Sequence, residues 1–207
     1  MRIRLWIRTL CVAGLVMSAS STAQADQVVL LPLFNGKDLS GWKVPKGNIW
    51  WKVEKGVLVC QSGPNKRGST LWTEEKFADF HLELDFRYQG QVDTGVFLRT
   101  SKQQVQIGVS RSLKRDMTGS VYVSGKGYPG RAEGVAKLLK IGEWNRMSIE
   151  ARGPKYVVSL NGKQVLTYTA EKVPATGPIG LQLHGGVDMR VEFRGLRIAK
   201  LRQAATR

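Results

Sequence analysis

Apolar residues recur along this chain with a period of two, in short runs separated by glycine and polar turns. His81-Leu82-Glu83-Leu84-Asp85-Phe86-Arg87 alternates strictly, and Val187-Asp188-Met189-Arg190-Val191-Glu192-Phe193-Arg194 repeats the pattern near the C-terminus. Successive side chains of a strand point to opposite faces, so each run is a strand with one aliphatic and one charged face. The same reading predicts strands over 28–34, 39–43, 50–53, 57–61, 69–73, 93–99, 103–109, 119–123, 144–151, 155–160, 163–169 and 180–184. Asn35-Gly36, Glu54-Lys55-Gly56, Arg152-Gly153-Pro154 and Asn161-Gly162 supply turns. Helical periodicity is nearly absent. Short strands with turns between them predict an all-β sandwich of two antiparallel sheets. Ser124 to Lys140 lacks a period; its first part reads as a loop over one end of a sheet.

Four runs depart from the charged outer face. In 93–99, Val96 and Leu98 oppose Phe97 and Arg99. In 103–109, Val105 and Ile107 oppose Gln104 and Gln106. Tyr122 opposes Val121 and Val123, and Gln182 and His184 oppose Leu181 and Leu183. The pooled set is a poor core and an unusual solvent face. It predicts a charged back face and a front face of amides and aromatics. Amides pair with hydroxyls, and aromatic rings pack on apolar ring faces, so the expected partner is an oligosaccharide or glycoside.

Within that set His184 suits proton abstraction near neutral pH, the alternative being a hydrogen-bonded structural histidine. Arg99 suits an enolate or a hydroxyl pair; otherwise it bridges to Asp93. Asp93 is a candidate acid or base at a strand start, or a turn residue. Gln104, Gln106, Gln182, Tyr122, Phe97 and Asp93 form the expected substrate-binding group. Trp42, Trp50, Trp51 and Trp144 are assigned to the core, and His81 and Lys126 to the surface. No cofactor is expected. The two histidines have no ligand spacing, and a divalent ion between Asp93 and His184 is left open.

Charge and the N-terminus add a location. Arg2, Arg4 and Arg8 precede an apolar run, Leu10 to Met17, and then Ala23-Gln24-Ala25. This is the order of a secretory signal peptide over residues 1–25, with export to the periplasm or beyond. Cys11 raises a lipid anchor, against which Arg8 argues. No run is long enough to span a membrane as a helix. Cleavage removes three arginines and no acid, so the net charge falls from +16 to +13. That surplus suits an acidic polysaccharide; the basic residues are scattered, and no nucleic-acid motif is present. Cys60 then remains without a disulfide partner and reads as a buried thiol. One domain over 26–201 is expected, with a frayed tail from Arg202.

Leu33-Phe34-Asn35-Gly36-Lys37-Asp38-Leu39-Ser40-Gly41-Trp42 resembles the opening motif of the 3-keto-disaccharide hydrolase family. Trp51-Lys52-Val53-Glu54, Thr94-Gly95-Val96-Phe97-Leu98-Arg99 and Gly142-Glu143-Trp144-Asn145 follow in order. Gly177-Pro178-Ile179-Gly180-Leu181-Gln182-Leu183-His184-Gly185 and Phe193-Arg194-Gly195-Leu196-Arg197-Ile198 complete the match, over about residues 31–200. The resemblance implies a concanavalin A-like jelly roll and cleavage of glycosides oxidised at sugar C3. In that chemistry a base removes the C2 proton, an electrophile steadies the enolate and the C1 substituent leaves. His184 is the expected base and Arg99 the expected electrophile. Members of that family often carry glutamate where this chain has Gln104, and aspartate near Gly108 or Val109. An amide cannot act as a base, so a non-catalytic carbohydrate-binding module is the alternative.

Overall fold

The computed structural model describes residues 28–202. The signal peptide expected over 1–25 and the tail beyond Arg202 lie outside the described residues. The strands are β1 (Leu31–Pro32), β2 (Trp42–Lys43), β3 (Trp51–Glu54), β4 (Val57–Gln61), β5 (Ser69–Phe77), β6 (Phe80–Tyr88), β7 (Asp93–Leu98) and β8 (Gln103–Ser110). They continue with β9 (Arg115–Asp116), β10 (Val121–Val123), β11 (Gly127–Gly130), β12 (Asn145–Arg152), β13 (Lys155–Leu160), β14 (Lys163–Thr169), β15 (Gly177–Leu183) and β16 (Arg190–Lys200). Among the described residues the helical exception is a 3-10 turn, Val135–Lys137.

The strands form two antiparallel sheets. The back sheet runs β14-β13-β12-β6-β16-β4-β3, with β1 on β16; the front sheet runs β11-β10-β8-β7-β15-β5-β2, with β9 on β8. Strands distant in sequence lie side by side in both sheets, as in a jelly roll. The inward rows meet as predicted. Leu82, Leu84, Phe86, Ile149 and Phe193 from the back sheet pack in one core with Val96, Leu98, Val105, Ile107, Leu181 and Leu183 from the front. Cys60 is buried in that core, and burial pushes its thiol up, so it stays protonated.

The outward row of the back sheet is the charged face. Arg87 pairs with Glu192, Arg146 and Arg194 with Asp85, Arg197 with Glu83, and Arg190 with both Glu54 and Glu192. His81 lies beside Glu83 there. Trp144 belongs to this face rather than the core: the Arg87 and Arg194 guanidiniums lie 4.6 and 4.1 Å from its ring. Trp42 and Trp51 are core residues, and Trp50 is only partly buried.

Three segments differ from the pattern-based reading. The first strand shrinks from 28–34 to Leu31–Pro32, with Val28 and Val29 exposed. The 69–73 strand runs on to Phe77. Within the expected loop, β11 pairs with β10 across the turn that contains Gly125.

Candidate functional site

Register decides what the front sheet presents. Gln104 on β8 lies opposite Phe97 on β7 and Tyr122 on β10, so the three share a row. Gln106, Gly95 and Gln182 form the next row, across β8, β7 and β15. Gly95 has no side chain, and the space is used. A Cβ there would strike the Gln104 amide and the Val105 carbonyl. The Gln104 amide therefore crosses the gap and donates from Nε2 to Gln182 Oε1 at 2.9 Å.

Gly180 acts similarly on the other side of β7. Its missing Cβ leaves room for the Trp72 ring, which stacks on Phe97 with centroids 5.3 Å apart and planes 16° apart. Trp72 follows from the alternation of β5, but between Leu71 and Thr73 the pattern does not distinguish it from a residue of an ordinary strand.

Asp93 begins β7 opposite Gly108 and is buried. Its Oδ1 accepts Gln106 Nε2 at 2.8 Å and its Oδ2 accepts the Arg111 backbone N–H at 3.1 Å. It makes no bridge to Arg99. Gly108 has φ +87°, and a Cβ on it would meet the Val92 carbonyl. A carboxylate therefore has no room at 108.

His184 follows β15 and is half-buried. Its Nδ1 lies 2.8 Å from Gly185 O. A carbonyl only accepts, so Nδ1 carries the hydrogen and the neutral ring presents a bare Nε2. The same carbonyl accepts Arg111 Nη1 at 2.8 Å, so guanidinium and imidazole share one anchor. Gly186 has its bare Cα against that guanidinium.

These residues line one cleft of about 490 Å³, with Asp93, Phe97, Gln104, Gln106, Tyr122, Gln182 and His184 all on its wall. The volume lies within the range of small-molecule sites. Seven of the eight site residues read from the sequence thus come together. Arg99 does not. It stands just past the end of β7 with φ +61°, which takes it out of the strand's alternation. Its side chain is buried away from the cleft, donating from Nη2 to Gly153 O at 2.5 Å and to the Tyr156 hydroxyl at 3.3 Å. The electrophile role read for Arg99 is therefore corrected: the guanidinium in the cleft is that of Arg111.

Arg111, Lys114, Tyr128 and the hydroxyls of Ser101, Ser110, Ser112 and Ser124 also line the cleft. They stand mainly on turns and on β11, where periodicity carries no signal. Tyr128 packs edge-on against Tyr122 at 5.3 Å. Burial, helped by the Asp93 charge, pushes its phenol up, so it remains a hydrogen donor. Among the described residues no group of three or more histidine, cysteine, aspartate or glutamate side chains could hold a metal. Both Asp93 oxygens already accept protein hydrogens. Lys126 is tied to Glu171 and does not line the cleft. No helix among the described residues is long and apolar enough to cross a membrane.

The sequence profile of the 3-keto-alpha-glucoside-1,2-lyase-like domain matches residues 31–199. Solved structures with this fold include candidate glycosyl hydrolases of Parabacteroides distasonis. One is 25% identical, with 83% of this chain and 84% of the other aligned at a TM-score of 0.62. A second is 24% identical, with 84% of this chain and 100% of the other aligned at 0.65. The carbohydrate-binding module CBM66 of Bacillus subtilis is 16% identical, with 77% and 96% aligned at 0.53, and shares the fold. No curated protein matches the chain.

Proposed function

The chain belongs to the 3-keto-alpha-glucoside-1,2-lyase-like domain family, and on that premise we propose that it cleaves glycosides already oxidised at sugar C3. Family membership makes it a carbohydrate-active protein; the reaction and its residues are our assignment. The observation that carries it is the His184 arrangement. One nitrogen is anchored on Gly185 O, the other is bare, and the ring stands on the wall of a cleft rich in amides and aromatics.

A C3 ketone acidifies the C2 hydrogen. His184 Nε2 takes that proton, and the electron pair forms an enolate whose charge rests on the C3 oxygen. We assign Arg111, which shares the Gly185 O anchor with His184, to hold that oxygen. The enolate then re-forms the ketone, its electron pair closes the C1–C2 double bond, and the C1–O bond breaks. The leaving oxygen takes the proton back from the imidazolium. The products are an alcohol and a 1,2-unsaturated 3-ketosugar, to which water adds across C1 and C2 to complete a hydrolysis. No spaced carboxylate pair is needed, unlike ordinary glycoside hydrolysis. Gln104, Gln106, Gln182 and Tyr122 bind the sugar's hydroxyls and ring, and Tyr128 donates to them.

A second reading, binding without turnover, is favoured by the engagement of Asp93, the one carboxylate among the described residues that lines the cleft. One assay decides. The purified mature protein is incubated with a 3-keto-glucoside and aglycone release is followed. Release is expected, falling by about 10²–10⁴-fold in His184→Ala. Binding without release by the native protein would leave the module reading standing and end the enzyme reading. Undiminished release by the variant would remove His184 as base.

A further inference from the structure

The cleft does not stop at His184. A groove of about 430 Å³ lies beyond it, lined by Gly68, Ser69, Thr70, Gln182, Leu183, His184 and Gly185, so Gln182 and His184 face both spaces. Gly68 on its wall closes the 62–68 loop, which carries Lys66 and Arg67 just outside the groove. The loop is fixed there by backbone contact: the Gly186 N–H donates to Lys66 O at 2.7 Å, and a Cβ on Gly68 would press on the Gly185 nitrogen. On the cleft side stand Arg111 and Lys114. Two segments distant in sequence, 66–67 and 111–114, thus bring four exposed cations to the 184–186 turn.

None of these four makes an ion pair among the described residues, whereas Arg87, Arg146, Arg190, Arg194 and Arg197 on the back sheet all do. The acids that line the cleft and the neighbouring recess are Asp93, whose oxygens are already engaged, and the exposed Asp188, which shares the recess with Arg111 and Lys114. The arginines of the back sheet are thus matched by acids, and the four cations at the His184 end are not.

Resting on the cleft as a glycoside site, we infer that the natural substrate is an acidic glycoside. It spans His184 and places a carboxylate or sulfate ester among Lys66, Arg67, Arg111 and Lys114. Clustered cations select such groups through charge and through the guanidinium's planar fork.

The test is calorimetric titration of the mature protein with three disaccharides of one linkage: a neutral one, one carrying a uronate, and one carrying a sulfate ester. At least one acidic sugar is expected to bind about tenfold tighter than the neutral one at low ionic strength. Which one does so distinguishes carboxylate from sulfate. The advantage should collapse at about 1 M salt, where the Debye length is about 3 Å. The double variant Lys66→Glu, Arg67→Glu should lose most of the preference while still binding the neutral sugar, which also reports that it is folded. Equal affinity for all three sugars, or a preference unchanged by salt and by the double variant, overturns the inference. Release from a neutral 3-keto-glucoside is measured separately, so the enzyme reading stands or falls on its own result.

Discussion

Gly95 shows how a residue without a side chain can determine a site. Its bare Cα is the reason the Gln104 amide reaches Gln182. Gly95→Ala forces the amide back and presses on the β8 backbone. We predict a loss of about 1–3 kcal/mol in urea unfolding. Sugar affinity should fall further than the same loss of stability imposed by a distant core truncation, because the amide pair is displaced. An affinity equal to that of such a control would show that the Gln104–Gln182 pair takes no part in binding. The residues themselves were legible in sequence: the period of two assigns Gln104, Gln106, Gln182 and His184 to one face. That Gln104 and Gln182 touch was not, because their bond depends on the pairing of β7 with both β8 and β15.

At the scale of elements, the regular strands were legible and the connections were not. Tyr128 lies on β11, a strand of glycine, tyrosine and proline with no alternation to read, and Arg111 follows the end of β8. The cleft owes its guanidinium and its second tyrosine to those segments. The back sheet shows the opposite case, where alternation was clear and the ion pairs follow from register. Arg190 on β16 holds Glu54 on β3 at 2.8 Å and Glu192 at 3.0 Å. Arg190, then Lys52, hold the Glu54 carboxyl down from 4.5 to about 2. Burial alone would raise Glu192, but Arg87 and Arg190 outweigh it and lower it. A folded-state value below the unfolded one means stability that is present in full above about pH 4.5 and is lost as pH falls toward about 2. Arg190→Met should therefore be less stable than the native protein at neutral pH. The gap in urea midpoint should close across that acidic window. A gap that stays constant down to about pH 2 would mean these pairs contribute nothing measurable.

Across the whole molecule, Arg99 joins the two sheets. It leaves the end of β7 in the front sheet and bonds Gly153 O, in the β12–β13 turn of the back sheet, and the Tyr156 hydroxyl on β13. Tyr156 passes the link on, donating to Gln103 Oε1 at 2.7 Å at the start of β8. Asp79 accepts the Gly153 N–H at 2.8 Å and so fixes the same turn. The sequence places Arg99 on the front face because a strand read through position 99 alternates. A left-handed φ at a non-glycine residue leaves no mark in a hydrophobic pattern, so the reversal could not be read. The correction has a consequence for function. If Arg99 is a tie between sheets and not a substrate contact, Arg99→Met should cost about 1–3 kcal/mol in unfolding free energy through the lost hydrogen bonds. At temperatures where the variant is fully folded, its affinity for the same sugar should match the native protein's. An affinity loss of about tenfold without a stability loss would return Arg99 to the site. The expected result, stability lowered and binding kept, would leave Arg111 as the guanidinium that faces the substrate.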